Sequence, residues 1–210
     1  MMRVVSVGKG GKLMTVLLGA KTEKTVILAG DNRGTNKNTD ETQDILEKVH
    51  PINNHLCVAS AGTLAISEAI LMNVNKMVYV DDLFIEDIIE TIEKFYDDAQ
   101  TYHLVKIQKM EASFLIGGIK KNGRTGLFAV HNNNGRVKIE EIQIIFTIIP
   151  PEDISMSTAS TIMIKNVKNH KINFIEQTVQ EISKISRFVS PTGDKWIYDA
   201  TSNTCRMESF

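Results

Sequence analysis

Residues 15–35 read TVLLGAKTEKTVILAGDNRGT. Two β-rich runs, 15–20 and 25–29, flank the polar turn 21–24, which is the pattern of a hairpin. Working outward, residues 48–52 and 56–61 form a second such pair around Asn53 and Asn54. The hydrophobic period then lengthens. Ile66, Ala69, Ile70 and Val74 follow helical spacing, and so do Ile85, Ile88, Ile89, Ile92 and Phe95 after the acidic start Asp81 and Asp82. Strands return over 113–119, 126–131 and 137–149. Asn122-Gly123 and Asn134-Gly135 separate them, and such pairs favour hairpin turns because both residues tolerate positive φ. Pro150 and Pro151 end the last run. Two more helices follow, one from about Thr158 and one with Ile172, Ile175, Val179, Ile182 and Ile185 on one face. Pro191 and Gly193 break the second, and 195–200 reads as a closing strand.

The order is four strands, two helices, three or more strands, two helices and one or two strands. Strands that arrive as hairpins pair antiparallel. Helices that arrive in pairs cover the outer faces of two stacked sheets. The expected architecture is therefore α+β, a four-layer α-β-β-α sandwich of two antiparallel sheets.

Bulk properties narrow the function. The chain has 210 residues with 24 basic and 25 acidic side chains, a formal net charge of −1. No basic excess points to nucleic acid and no charged block forms a tail. No apolar run reaches the ~18 residues of a membrane span; the greasiest stretch, 142–149, is interrupted by Gln143 and Thr147 and is strand-sized. Cys57 and Cys205 lie far apart, neither a disulfide framework nor a metal cluster. His50, His55, His103, His131 and His170 show no ligand spacing, so neither a metal nor another cofactor is expected. The first fourteen residues lack the long apolar region of a secretory signal, which leaves the cytoplasm as the expected compartment.

The opening stretch carries a further pattern. Residues 15–21, TVLLGAK, and 26–35, VILAGDNRGT, resemble the start of proteasome β subunits and of the bacterial peptidase HslV. That family begins with a catalytic threonine, has an aspartate sixteen residues later, and a lysine about sixteen beyond that. Here Asp31 follows Thr15 by sixteen residues. Lys48, in Glu47-Lys48-Val49, comes one residue late, so the loop between holds a single insertion. Ala61-Gly62-Thr63 resembles the glycine turn before the family's first long helix. Residues 114–119, FLIGGI, resemble its central strand, and 193–198, GDKWIY, resemble the last strand of the HslV type. The likeness covers nearly the whole chain from Thr15 and is most specific in its first fifty residues.

This resemblance implies an N-terminal-nucleophile hydrolase, a threonine peptidase. A threonine hydroxyl needs a nearby base at neutral pH, and a free α-amino group, with a pKa near ~8, serves if the threonine is the first residue. Lys48 would stabilise the ionised hydroxyl, and Asp31 would keep Lys48 protonated and oriented. The Gly62 N–H would face the developing oxyanion. Thr35 lies where the family pairs an extended peptide with its own backbone. Ser60, Leu64 and Glu68 flank Gly62 at strand and helix spacing and are candidates for the side-chain pocket. The family's serine near its third helix falls in the run 157–160, with Thr158 the candidate. Its aspartate after the fourth helix is not matched: Ser190 fits the turn, Arg187 takes the aspartate's place, and Asp194 is displaced. Each residue alone has a plainer reading, as a β-former, a turn residue, a surface charge or a helix cap; the joint spacing favours the catalytic one.

Residues 1–14 read as an extension, propeptide or translated leader, ahead of a hydrolase domain over 15–210. Met14 is atypical for the family's self-cleavage after glycine. The expectation is that Met14 is the initiator and is trimmed to expose Thr15, with Lys9-Gly10-Gly11 compatible with codons of a ribosome-binding sequence. The implied partners are peptide or unfolded-protein substrate, further copies in a homo-oligomeric ring, and a separate unfolding ATPase. Two other functions fit the same residues: a small-molecule amidase or transpeptidase of this fold, or a catalytically silent scaffold subunit.

Overall fold

The computed structural model describes residues 14–35, 39, 41–77, 79–101, 111–133, 136–143, 145–170 and 173–210. The turn at Asn134-Gly135, Ile172, and residues 1–13 of the extension lie outside the described residues.

Chain order begins with β1 (Leu17–Lys21) and β2 (Thr25–Asp31), the expected hairpin, with Leu18 opposite Ala29. A small ribbon follows, β3 (Gly34–Thr35) with β4 (Thr42–Gln43). Next come β5 (Val49–Asn53), β6 (Leu56–Gly62), α1 (Leu64–Asn75) and α2 (Ile85–Thr101). Then β7 (Ala112–Ile119), β8 (Thr125–Asn133), β9 (Arg136–Glu141) and β10 (Phe146–Ile149) lead to α3 (Met156–Asn169), α4 (Phe174–Ser183), β11 (Gly193–Asp199) and β12 (Thr204–Ser209). One sheet runs β10-β1-β2-β11-β12 and the other β5-β6-β7-β8-β9, with every pair antiparallel. Pro51 has no N–H to give and sits in β5, an edge strand, where that donor is not required.

Side-chain alternation builds the layers. Leu17, Leu28, Cys57 and Leu115 point between the sheets, where they meet Trp196 and Tyr198. Their neighbours point outward: Leu18 and Ala29 pack on Met163, Val179 and Ile182 of α3 and α4. Leu56, Phe114 and Ile116 pack on Ile70 of α1 and Ile88 and Ile92 of α2. Strands buried on both faces lose the polar alternation of a half-exposed sheet, which is why they read as nearly continuous apolar runs. The four-layer α-β-β-α sandwich expected from the sequence is the observed fold.

Two local expectations change. Residues 137–149 are two strands, not one: β9 borders one sheet and β10 the other, with Ile142 buried between them. A single strand of that length would run about 40 Å, well past the seven- to nine-residue neighbours β6, β7 and β8 that could pair with it. Ile185 is not on the buried face of the last helix. α4 stops at Ser183, and Ile185 lies in the following turn at 55% exposure. The helix expected from about Thr158 starts at Met156 because Ser155 caps it, its side chain accepting from the Thr158 N–H at 3.1 Å.

β8 carries a buried histidine. His131 pairs in register with Ser113 on β7 and Lys138 on β9, and its Nδ1 is 2.8 Å from the Ser113 hydroxyl. Burial, and secondarily the charge of Lys138, lowers its pKa to about 4. The unfolded chain binds this proton near pH 6.5 and the folded chain refuses it. Stability from this residue is therefore full above pH 6.5 and falls by up to about 3 kcal/mol as pH drops to 4. His131→Gln should flatten the decline of the urea midpoint between pH 7 and 4.5, relative to the unsubstituted chain.

Candidate active site

Asp31 ends β2, the strand that sits between β1 and β11. That position surrounds its carboxylate with chain ends from both neighbours. Oδ1 accepts from the Val16 N–H and from Lys48 Nζ, each at 3.0 Å. Oδ2 accepts from the Arg33 N–H at 2.9 Å and the Ser190 N–H at 3.2 Å. The carboxylate is wholly buried and Lys48 is 3% exposed. Bonds from N–H groups and an ammonium to a carboxylate are among the stronger in proteins, and two donors per oxygen offset the cost of taking this charge out of water. Burial holds Lys48 below the ordinary lysine pKa even with Asp31 beside it raising the value.

Thr15 precedes β1 and is buried. Its neighbour Val16 and Lys48 share one oxygen, so the ammonium lies no farther from the Val16 nitrogen than twice 3.0 Å. Lys48 itself is held from behind, its carbonyl accepting the Ser60 N–H at 2.9 Å.

Thr15 opens onto a cleft of about 570 Å³. Gly62, Thr63 and Leu64 form one side, where β6 turns into α1. Arg33, Gly34 and Thr35 of the β3 segment and Gln43, Ile45 and Leu46 beyond it line the cleft too, as does Met14, next in sequence to Thr15. Gly62 has φ +111°, and a Cβ there would stand 2.4 Å from the Glu111 carbonyl oxygen, so only glycine fits the turn.

The sequence candidates thus divide. Thr15, Thr35, Gly62 and Leu64 meet at the cleft, with Asp31 and Lys48 packed behind Thr15. Ser60 is buried in β6 behind the cleft, and Glu68 is exposed farther along α1. Thr158 is exposed in the first turn of α3, its hydroxyl 2.8 Å from Ser155 Oγ, and does not line the cleft. Ser190 belongs to the Asp31 network through its backbone, while Asp194 bonds the Ser209 hydroxyl on β12. The sequence reading missed Arg33 as a brace. Its guanidinium grips both Asp44 oxygens, at 2.7 and 2.8 Å, and donates to the Arg187 carbonyl at 3.1 Å. That pairing lowers the Asp44 pKa and raises that of Arg33. The pair is eleven residues apart in sequence and flanks the short β3–β4 ribbon, where no hydrophobic period marks a contact.

Layering and strand order define a proteasome-like N-terminal-nucleophile sandwich. The chain belongs to the proteasome subunit family: the pattern of the family described as Proteasome subunit matches residues 12–140, more than half of the chain. Among solved structures it is similar to a Gly-1 mutant of Anbu from Hyphomicrobium sp. strain MC1. The TM-score is 0.67 at 15% identity, covering 93% of this chain and 86% of that one, a likeness of fold. No curated protein matches in sequence. Among the described residues no helix is long and apolar enough to cross a membrane.

Removing Lys48 leaves a buried carboxylate without its counter-charge. Lys48→Ala should cost about 3–5 kcal/mol of folding free energy, read from urea denaturation. Lys165→Ala, which removes a pair 58% exposed at the lysine, should cost under about 1 kcal/mol.

Proposed function

We propose that this chain is an N-terminal threonine hydrolase that cleaves peptide bonds, with Thr15 as nucleophile when it is the first residue. The observation that carries the reading is the shared Asp31 oxygen, which holds the buried Lys48 ammonium near the Thr15–Val16 peptide, with Thr15 itself lining an open cleft.

The α-amino group of Thr15 takes the proton from its own hydroxyl, and the oxygen attacks the substrate carbonyl. Lys48 lowers the cost of negative charge on that oxygen, and Asp31 orients Lys48. The Gly62 N–H stabilises the tetrahedral oxyanion. The intermediate expels the amine, which leaves with the proton held by the α-ammonium. A water then hydrolyses the Thr15 ester and restores the hydroxyl. Thr35 supplies β-type backbone pairing to an extended peptide. Ser60 acts through its N–H on the Lys48 carbonyl, and Thr158 with Ser155 sets the start of α3 in a supporting role. Residues 1–14 are removed to free the amine. A ring of copies in the cytoplasm, fed by an unfolding ATPase, delivers peptide or unfolded protein.

The test is intact mass of protein made from the native gene, before and after a peptide vinyl sulfone. The expected chain starts at Thr15, gains one probe, and loses that gain in Thr15→Ala. A chain that keeps Met1 and takes no probe defeats the reading in favour of a silent scaffold subunit. Labelling rate should rise with pH through about 8, as the α-amino group loses its proton.

A further inference from the structure

We infer that Asp44 and Arg33 are positioning residues for the reaction at Thr15: Asp44 supplies, from the loop before β5, the carboxylate that the α4–β11 turn lacks, and the pair presents balanced charge to Lys48. This rests on the reading of Thr15 as nucleophile.

The turn between α4 and β11, residues 184–192, reads KISRFVSPT and holds Lys184 and Arg187 but no acid. Asp194, the next carboxylate along the chain, accepts from the Ser209 hydroxyl at 2.7 Å. Carboxylates from elsewhere hold the turn instead. Asp153 accepts from the Ser186 hydroxyl at 2.7 Å, and Asp31 from the Ser190 N–H at 3.2 Å. Asp44 reaches the turn through Arg33, whose guanidinium gives two bonds to Asp44 and a third to the Arg187 carbonyl. The Arg33 N–H donates to Asp31 Oδ2, while Lys48 donates to Oδ1 of the same carboxylate. Arg33 thus joins the loop before β5, the α4–β11 turn and the carboxylate that orients Lys48.

Folding stability alone does not account for this arrangement. The Asp44 side chain is 40% exposed, and pairs open to water add little to stability. The planar fork is directional instead: a bidentate guanidinium–carboxylate pair fixes angle as well as distance. Its charges matter too. Burial acts most strongly on Lys48 and disfavours its ammonium form; Asp31 opposes that, and, more weakly, Asp44 favours the ammonium while Arg33 disfavours it. Arg33 does most to lower the Asp44 pKa, and Ser190 and Lys48 add smaller parts, so Asp44 acts on the turn and the lysine as well as on its partner. Intact, the pair largely cancels its own effect on Lys48. Broken on either side, it leaves one uncompensated charge.

The test is the pH profile of Thr15 labelling by the peptide vinyl sulfone, with protein from the native gene and adducts assigned by mass. Asp44→Asn leaves the guanidinium unbalanced, which disfavours the protonated forms of Lys48 and of the Thr15 amine. Its profile should move to lower pH by about half a unit. Arg33→Gln keeps the backbone bond to Asp31 and leaves the Asp44 charge, so its profile should move up by a similar amount. The double substitution should return the profile to its starting place at a lower rate. Asp44→Glu keeps the charge but disturbs the fork, and should slow labelling without moving the profile. Glu41, which also lines the cleft, is the same in all four variants. A pair that only braces the fold would slow both single variants with no shift, or with shifts in one direction. Either result overturns the inference and leaves the nucleophile standing, as do single variants indistinguishable from the unsubstituted chain. Loss of folding in either single variant, read from urea denaturation, overturns it too, because the pair would then be a structural brace. No labelling of the unsubstituted chain overturns both readings.

Discussion

A buried carboxylate must find donors for every lone pair it brings out of water, and Asp31 meets that demand from four places in the chain. Val16 precedes β1, Arg33 follows β2, Lys48 precedes β5, and Ser190 precedes β11. Satisfying one side chain therefore fixes the relative positions of four segments. The central place of β2 in its sheet makes this possible, because β1 and β11 flank it and bring their chain ends to the same edge. The cleft is the space these ends leave in front of Thr15. Polar bonds to Asp31 tie the segments at its back together.

The Arg33–Asp44 pair extends this logic to the cleft wall. Arg33 uses its backbone N–H on Asp31 and its side chain on Asp44 and the Arg187 carbonyl. The loop that carries Ile45 is thus referenced to the same carboxylate that holds Lys48. The charges of Asp31, Lys48, Arg33 and Asp44 are thus paired with one another within the protein.

Much of this was legible in the sequence, and the reasons are specific. The sandwich could be read because hydrophobic period distinguishes Ile85, Ile88 and Ile92 on a helix from Leu17 and Leu18 on a strand covered on both faces. Thr15, Asp31, Lys48 and Gly62 could be singled out through the family resemblance, and they sit at or near the ends of regular elements, positions that can be counted along a sequence. What escaped lies in irregular segments. The β3–β4 ribbon is too short to show a period, and Arg33 and Asp44 flank it. The break between β9 and β10 was hidden because Ile142 stays buried while the chain changes sheets, so hydropathy continues through a topological boundary. Thr158 shows the converse: a hydroxyl in a capping run has the same signature whether it serves a helix end or a reaction.

The distance along the chain between Val16 and Ser190 has a consequence for synthesis. Translation delivers the N-terminal residues first, but the Ser190 donor emerges 159 residues after Asp31 itself. Until then β2 lacks β11 on one flank and the carboxylate lacks one of its partners. Contacts between such remote segments form late, since closing a long loop has an entropic cost before any bond rewards it. The site is therefore completed only once Ser190 has been made, and a nascent product that stops short of it cannot present the site in finished form.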